Sequence, residues 1–468
     1  MPKFTDVKIL DYVEKSNYRN QTFAEWIEAD FAYQVATDLQ IQAIEQAYYS
    51  KKRSELPLSK EFGSIVQMEH DLLNVLTDME MLGVYVDKQE LYELSSELQA
   101  KSRLLLAEMQ DLVGETFNPL SAKQVQHILY DRMRIPTGKK IKTGFSVDSE
   151  TLAEIAKSHA IAGMILDYRG YEKLRSTYCE GLIEHINPET HRIHTTYKQT
   201  FTSTGRLSSE NPNLQNIPAG DGYAARIKSA FRPESADMQY VVADYSQVEL
   251  RVLAMLSGDE NLLQVFKNGE DIHTRTAKFL FPTYEKITSD QRRIAKSVNF
   301  GVIYGITGFG LSKMIKTSPK DATIYIDTFF AQYPKVRTYY DDIITKAKTT
   351  GYVETYYGRR RTIKGLNDAN SMMRAAAERE AINMPVQGTA ADIVKLAMIQ
   401  LQKEIHAGNI PGQLIMQVHD ELVLEVPNAG VPEAMQKLAD VMEGILSIGG
   451  ISLKVDVHSG KNWTEAKD

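Results

Sequence analysis

The sequence predicts an α+β fold in which long helices surround a small antiparallel sheet. Three observations carry that reading. Tyr240 to Ala243 is a short apolar run with two β-branched residues, and it passes at Ser246 into a helical pattern. Gln413 to Val426 is two β-rich runs flanking His419-Asp420, which reads as a tight hairpin. Elsewhere apolar residues recur at helical spacing, most clearly over 68–82 and 90–113.

The whole chain sets the bounds. Its 468 residues are enough for roughly three domains or subdomains, and 43% hydrophobic with 25% charged residues is ordinary for a globular protein. Cys179 is the single cysteine, which excludes an internal disulfide and a cysteine zinc cluster. Met1-Pro2-Lys3-Phe4 opens no apolar signal core, and no run of ~18 apolar residues occurs, so a cytoplasmic protein with no membrane partner is expected. A net charge of −7 argues against indiscriminate polyanion binding. Two basic clusters stand out against it: Lys139-Lys140-Ile141-Lys142, and Arg359-Arg360-Arg361 with Lys364.

Taken in order, residues 1–60 are polar and helix-leaning. Met68 to Leu82 forms a helix stopped by Gly83, and Glu90 to Val113 forms a longer one, the two making an antiparallel helical arm. Ser121 caps a helix over Ala122 to Tyr130. Arg134 to Ser146, with Pro136, Gly138, Gly144 and the lysines, reads as a basic loop suited to phosphate contacts through Lys139, Lys140 and Lys142. The pattern changes near Arg192, where a strand leads into Phe201 to Ser209 and then Pro212 to Pro218. These polar, proline-bounded segments, carrying Arg206, Asn213 and Gln215, read as binding loops.

Three segments concentrate chemistry. In the first, Asp244 sits where a buried strand ends, a costly place for a charge unless it is paired or holds a metal; Ser246 is the expected N-cap of the next helix and Gly258 its end. In the second, Ser289 to Gly305, Arg292, Lys296, Phe300 and Tyr304 recur at every fourth position. On a helix they make one stripe about 18 Å long, with cations for phosphates and flat rings for sugar and base. Ser289 is the expected cap of that helix. In the third, a His-Asp turn demands φ > 0 of residues that tolerate it poorly, and Asp420 and Glu421 put two carboxylates side by side. Arg379, Asn383 and Gln387 share a face if their helix continues, although Pro385 argues against a smooth run and points to a separate helix over Ala391 to His406. If Asp244 and Asp420 lie on neighbouring strands, their carboxylates converge, and hard oxygen ligands suit a pair of Mg²⁺ ions working on phosphates.

Together the three segments resemble motifs A, B and C of the family A (DNA polymerase I-like) DNA polymerases: Asp244-Tyr245-Ser246-Gln247-x-Glu249-Leu250-Arg251, then Arg292-x₃-Lys296-x₃-Phe300-x₃-Tyr304-Gly305, then Val418-His419-Asp420-Glu421. Thr204 to Ser209 and Pro212 to Pro218 also fit, and the resemblance runs from about residue 66 onward. It implies a right-hand polymerase: a thumb over 66–190, a palm over 191–258 and 378–468, fingers over 259–377, and an exonuclease-domain remnant over 1–65. It implies a DNA-templated DNA polymerase, a monomer, that uses primer–template DNA and dNTPs.

By that resemblance Asp244 and Asp420, with the Tyr245 backbone, would hold two Mg²⁺ ions (Mn²⁺ substituting), and Glu421 would support them. Arg292, Lys296 and His273 would hold the triphosphate, with Lys296 the proton donor to pyrophosphate. Glu249 would exclude a ribose 2′-hydroxyl, Phe300 would discriminate against dideoxynucleotides, and Tyr304, Tyr245 and Gln247 would line the nascent pair. Arg206, Asn213, Gln215, Arg379, Asn383, Gln387 and His419 would contact DNA. The chain departs from the pattern at Gly220, where an Arg commonly follows Asn-Ile-Pro, and at Val35, where the last exonuclease motif would place an Asp; proofreading is therefore expected to be absent. The rival readings are a metal-dependent nuclease, which needs no cationic-aromatic stripe, a reverse transcriptase, and a non-catalytic DNA-binding relative.

Overall fold

The computed structural model describes Ile9, Tyr12, Val13 and residues 60–136, 140–142 and 144–467. Val35 and most of the expected remnant lie outside them. Helix α1 (Lys60–Leu82) buries Ile65, Met68, Leu72, Val75, Leu76 and Met79, and Gly83 at φ 65 stops it. After β1 (Val84–Tyr85), α2 (Lys88–Val113) starts at Asp87, whose carboxylate accepts from two backbone N–H groups, and closes at left-handed Gly114. Ser121 caps α3 (Ala122–Gln126), which runs on as a π-helical turn over His127–Arg132. Then come the hairpin β2 (Lys140–Ile141) and β3 (Gly144–Phe145), helices α4 (Ser149–Ala156), α5 (Ala160–Lys173) and α6 (Gly181–Glu184), and β4 (Arg192–Ile193), which pairs with β1.

Strands β5 (Thr196–Lys198) and β6 (Ser208–Glu210) pair and flank the Arg206 loop. Helix α7 (Tyr223–Ser229) precedes β7 (Met238–Tyr245). The helices α8 (Val248–Ser257), α9 (Glu260–Lys267), α10 (Ile272–Leu280), α11 (Ser289–Ile303), α12 (Gly308–Ile315), α13 (Pro319–Gln332) and α14 (Pro334–Thr350) follow. A hairpin of β8 (Tyr352–Glu354) and β9 (Arg360–Thr362) leads to α15 (Ser371–His406). The chain closes with β10 (Gln413–Val418), β11 (Glu421–Pro427), α16 (Val431–Glu443), β12 (Ser447–Ile448), β13 (Ile451–Ser452) and β14 (Val455–Gly460).

Two compact units result. One comprises Met1–Met81, Thr196–Glu210 and Val241–Ser459; the other comprises Leu82–Thr195, Asn211–Tyr240 and Gly460–Asp468. The first is built on a four-stranded sheet of order β10-β11-β7-β14. As an inner strand β7 has neighbours on both edges, and Tyr240 to Ala243 are all buried, which is why that run is continuously apolar rather than alternating. Helix α15 packs on α8, α14 and α16, and α11 packs on α8, α10, α12 and α13. The second unit has its own core, including Met109, Val113, Ile128, Leu129, Leu152 and Ile161.

Several local expectations are corrected. Helix α1 belongs with the sheet-bearing unit and α2 with the other, rather than both to one arm, and the buried stripe of α1 is spent on its own unit's core. The basic segment near residue 140 is a short hairpin rather than a loop. Gln247, at φ 53, precedes α8 in place of Ser246, and Thr288 rather than Ser289 caps α11, with Gln291 completing a capping box. Pro385 does not end its helix: α15 runs 36 residues straight through it. One missing N–H is tolerable there because the helix is buried on almost every side between Ala381 and Lys395.

Candidate active site

Asp244 is the penultimate residue of β7, and Asp420 is the second residue of the two-residue turn between β10 and β11. Because β11 is the neighbour of β7, the strand end meets the turn: the Tyr245 N–H donates to the Asp420 carbonyl at 3.3 Å. The hairpin closes with Val418 opposite Glu421, and His419 takes φ 54 at the first turn position, the strain its residue type foretold. Glu421 is buried at the start of β11.

The centre of the arrangement is Glu249, only 5% exposed in the first turn of α8. Arg206 Nη2 donates to one of its carboxylate oxygens at 2.8 Å, and the Tyr304 hydroxyl donates to the other at 2.7 Å. The nearby Gln387 amide also favours the charged carboxylate. Burial pushes the Glu249 carboxyl above the usual carboxylate range, against the pull of the Arg206 guanidinium. The same Arg206 Nη2 lies 3.5 Å from Asp420 Oδ1, while its Nε is buried with no hydrogen-bond partner among the described residues.

Helix α11 carries the cationic-aromatic stripe. Gly305, at φ 62, ends it where a Cβ would come within 2.7 Å of Ile382 and 3.0 Å of Arg379, so the stripe seats directly on α15. Arg292 donates through Nε to Asp271 at 2.7 Å and is exposed, as is Lys296, whose ammonium lies 6.0 Å from the centre of the Phe300 ring. The buried His273 stacks against Phe300 with ring centres 5.7 Å apart and places Nδ1 2.9 Å from the Asn299 side-chain amide. Burial lowers its pKa to about 4, so it is neutral at pH 7; with the Asn299 amide donating to Nδ1, its proton sits on Nε2. On α15, Asn383 and Gln387 are the only residues between Ala381 and Lys395 that are not buried, and Arg379 is half-buried one turn before them.

Some expected site residues stand elsewhere. The Tyr245 ring is buried and its hydroxyl donates to the Met442 carbonyl at 2.8 Å, so it faces the core rather than a nucleotide, and only its backbone remains beside Asp420. Gln247 is half-buried at the left-handed turn into α8. Asn213 and Gln215 belong to the other unit, where the Asn213 side chain accepts from the Gln215 N–H. Lys140 and Lys142 are exposed in that unit, and Lys139 lies outside the described residues.

The arginine run is also rewritten. Arg359, 1% exposed, is bonded to the buried carboxylates of Glu69 and Asp392, and Lys395 donates to Glu69 at 2.6 Å. Two acids and two bases make this cluster neutral, the usual condition for charges removed from water. Arg360 pairs with Glu354 and Arg361 with Glu380, so the run is not a free basic patch. Sequence reading missed the cluster because its members are separated by up to 326 positions.

Two carboxylates at the edge of one sheet suit a small hard cation that takes its remaining oxygens from a substrate. The guanidinium already held near Asp420 marks the spot as one that accepts positive charge. No group of three or more His, Cys, Asp or Glu among the described residues forms a self-sufficient metal cage. Acidic residues at the end of β7 and in the β10–β11 turn share one unit with the cationic-aromatic helix α11, and Tyr304, last in that stripe, reaches Glu249. The sequence pattern of DNA polymerase family A matches residues 88–465, and the chain belongs to that family.

The chain is 44% identical over 419 residues to DNA polymerase I of Lactococcus lactis subsp. lactis, covering 89% of this chain and 47% of that protein. It is 41% identical over 414 residues to DNA polymerase I of Geobacillus stearothermophilus, covering 88% and 47%. It therefore spans about half the length of these relatives. Among solved structures it is similar to the POL domain of Pol1 from M. smegmatis in complex with DNA primer–template and dNTP, with a TM-score of 0.91 and 32% identity over 98% of this chain and 82% of that one.

Proposed function

We propose that this chain is a DNA-templated DNA polymerase that adds deoxynucleotides to a primer 3′-hydroxyl and releases pyrophosphate. The observation that carries the reading is the placing of Glu249, tied to Arg206 and Tyr304, in the unit where the end of β7, which bears Asp244, meets the Asp420 turn. Asp244 and Asp420 would hold divalent cations, two Mg²⁺ in this reading, which supply activation of the attacking hydroxyl and neutralisation of the phosphates when bound. Glu421, buried behind the turn, keeps Asp420 in place. Arg292 and Lys296 attract the triphosphate, and Lys296 gives a proton to the departing pyrophosphate. His273, neutral, donates from Nε2 to a phosphate oxygen without adding charge.

Phe300 and Tyr304 offer flat faces to the incoming nucleotide, and Glu249 occupies the room a 2′-hydroxyl would need. Arg206, Arg379, Asn383 and Gln387 donate to the minor-groove side of the primer end, where every base pair offers acceptors. Primer extension with Mg²⁺ tests the reading. Wild type and Asp244→Ala are each run with dNTPs, with rNTPs and with none. Extension by dNTPs that disappears in Asp244→Ala supports it; primer shortening without nucleotides, also lost in the variant, replaces it with a nuclease.

A further inference from the structure

The buried charge cluster sits directly beneath the loop that carries Arg206, and it grips that loop at several points. Gln199, at its start, donates to the Glu69 carboxylate at 2.7 Å and to the Glu69 carbonyl at 3.0 Å. The Tyr12 hydroxyl donates to the Thr202 carbonyl at 2.5 Å, and the Tyr12 ring lies 5.9 Å from the Arg359 guanidinium. Thr202 Oγ1 donates in turn to the Arg206 carbonyl at 2.7 Å. Gly205, at φ 87, rests on the edge of the guanidinium so closely that a Cβ there would stand 2.6 Å from Arg359 Nε. On the other flank a Cβ at Gly388 would meet the Thr204 carbonyl at 3.1 Å. The guanidinium is itself fixed: Nε and Nη2 reach Asp392 at 2.8 and 2.7 Å, Nη2 also reaches Glu69, and Thr355 Oγ1 joins Asp392 at 2.8 Å.

We infer that Tyr12 and Arg359 are positioning residues for Arg206: the cluster is a rigid seat that sets the height of the Thr202–Arg206 backbone, and so the reach of Arg206 to Glu249 and Asp420. A buried ion cluster is a poor source of net stability, since well-packed apolar residues often do as well, but a planar guanidinium locked between two carboxylates is a rigid surface to build on. Sub-ångström errors at a site of this kind are costly, and the chain from Arg359 to Arg206 passes through backbone with no flexible side chain between them. Tyr12, far from the site in sequence, thereby takes part in its geometry. The inference rests on the assignment of Arg206 to the polymerase site.

Single-turnover incorporation of one dNTP by the full chain on a primer–template tests it. The variants are Arg206→Ala, Arg359→Lys and Tyr12→Phe, the last two alone and with Arg206→Ala, with a thermal melt of each. The expected rate losses are ~10-fold for Arg206→Ala, ~10-fold for Arg359→Lys and ~3-fold for Tyr12→Phe. In the Arg206→Ala background the last two shrink below ~2-fold, because effects passing through one side chain cannot add. Full additivity in that background, or a lowered melting temperature with unchanged rates, overturns the positioning role and leaves the polymerase reading intact. Wild-type rates in Arg206→Ala overturn the placement of Arg206 and this inference with it. Tyr12→Phe keeps the ring and every charge, so it decides the matter if Arg359→Lys fails to fold.

Discussion

In the proposed function selectivity turns on Glu249, a buried carboxylate on which the Arg206 guanidinium and the Tyr304 hydroxyl converge. Glu249→Ala opens space and frees the Tyr304 hydroxyl. Ribonucleotide incorporation is expected to rise by at least ~10-fold relative to deoxynucleotides, read from the ratio of kcat/KM values. Asp420→Ala removes one of the two carboxylates proposed to hold cations and should lower single-turnover extension by ~10³-fold or more while the melting temperature stays near wild type. Glu69 makes a pH prediction. Burial alone would raise its carboxyl, yet the Lys395 ammonium and the Arg359 guanidinium together hold it down at about 2, against 4.5 ordinarily. A depressed folded value stabilises the protein above the unfolded pKa, and that contribution should be lost as pH falls from 4.5 toward 2. Urea titrations of wild type and Glu69→Gln across that window check it: the variant's stability should be lower at neutral pH and flatter on acidification.

Helix α11 presents Arg292 and Lys296 only if its first turn is formed, and that turn is held by the reciprocal Thr288–Gln291 box. Thr288→Ala should cost about 1 kcal/mol in a denaturant titration. Its effect on dNTP affinity should be small beside that of Lys296→Ala. Much of this level was legible: Gly83 and Gly258 stop helices as their spacing foretold, and the His419 turn needed the positive φ that it has. Caps were misplaced by one residue: Thr288 and Ser289 differ little in local preference, and Gln247, which makes no side-chain cap, precedes α8 because the path of the incoming chain outweighs the preference for Ser246. Pro385 misled because proline's penalty is local, whereas the burial that outweighs it comes from distant elements.

Across the whole molecule, a net charge of −7 means that the proposed affinity for DNA would have to come from where cations are placed. Lys140 and Lys142 stand exposed on the β2–β3 hairpin. Replacing both with Ala should weaken primer–template binding and flatten the plot of log K against log salt by about 0.9 for each phosphate no longer neutralised, measured by fluorescence anisotropy. Arg359→Lys should leave that slope unchanged, because Arg359 is inside the protein.

The sequence by itself determined the α+β character, the strand that bears Asp244, the strained hairpin that bears Asp420 and the every-fourth-residue stripe from Arg292 to Tyr304. All of these are periodic or local, so they survive reading one segment at a time. Tertiary structure alone decided that Arg206 reaches Glu249 across 43 positions, that the Tyr245 ring turns inward, and that one arginine of a basic run is buried among acids while its neighbours pair near the surface. Those outcomes depend on which side chains meet once the core has closed. A charge is read identically in sequence whether it faces water or a buried partner, and only desolvation separates the two.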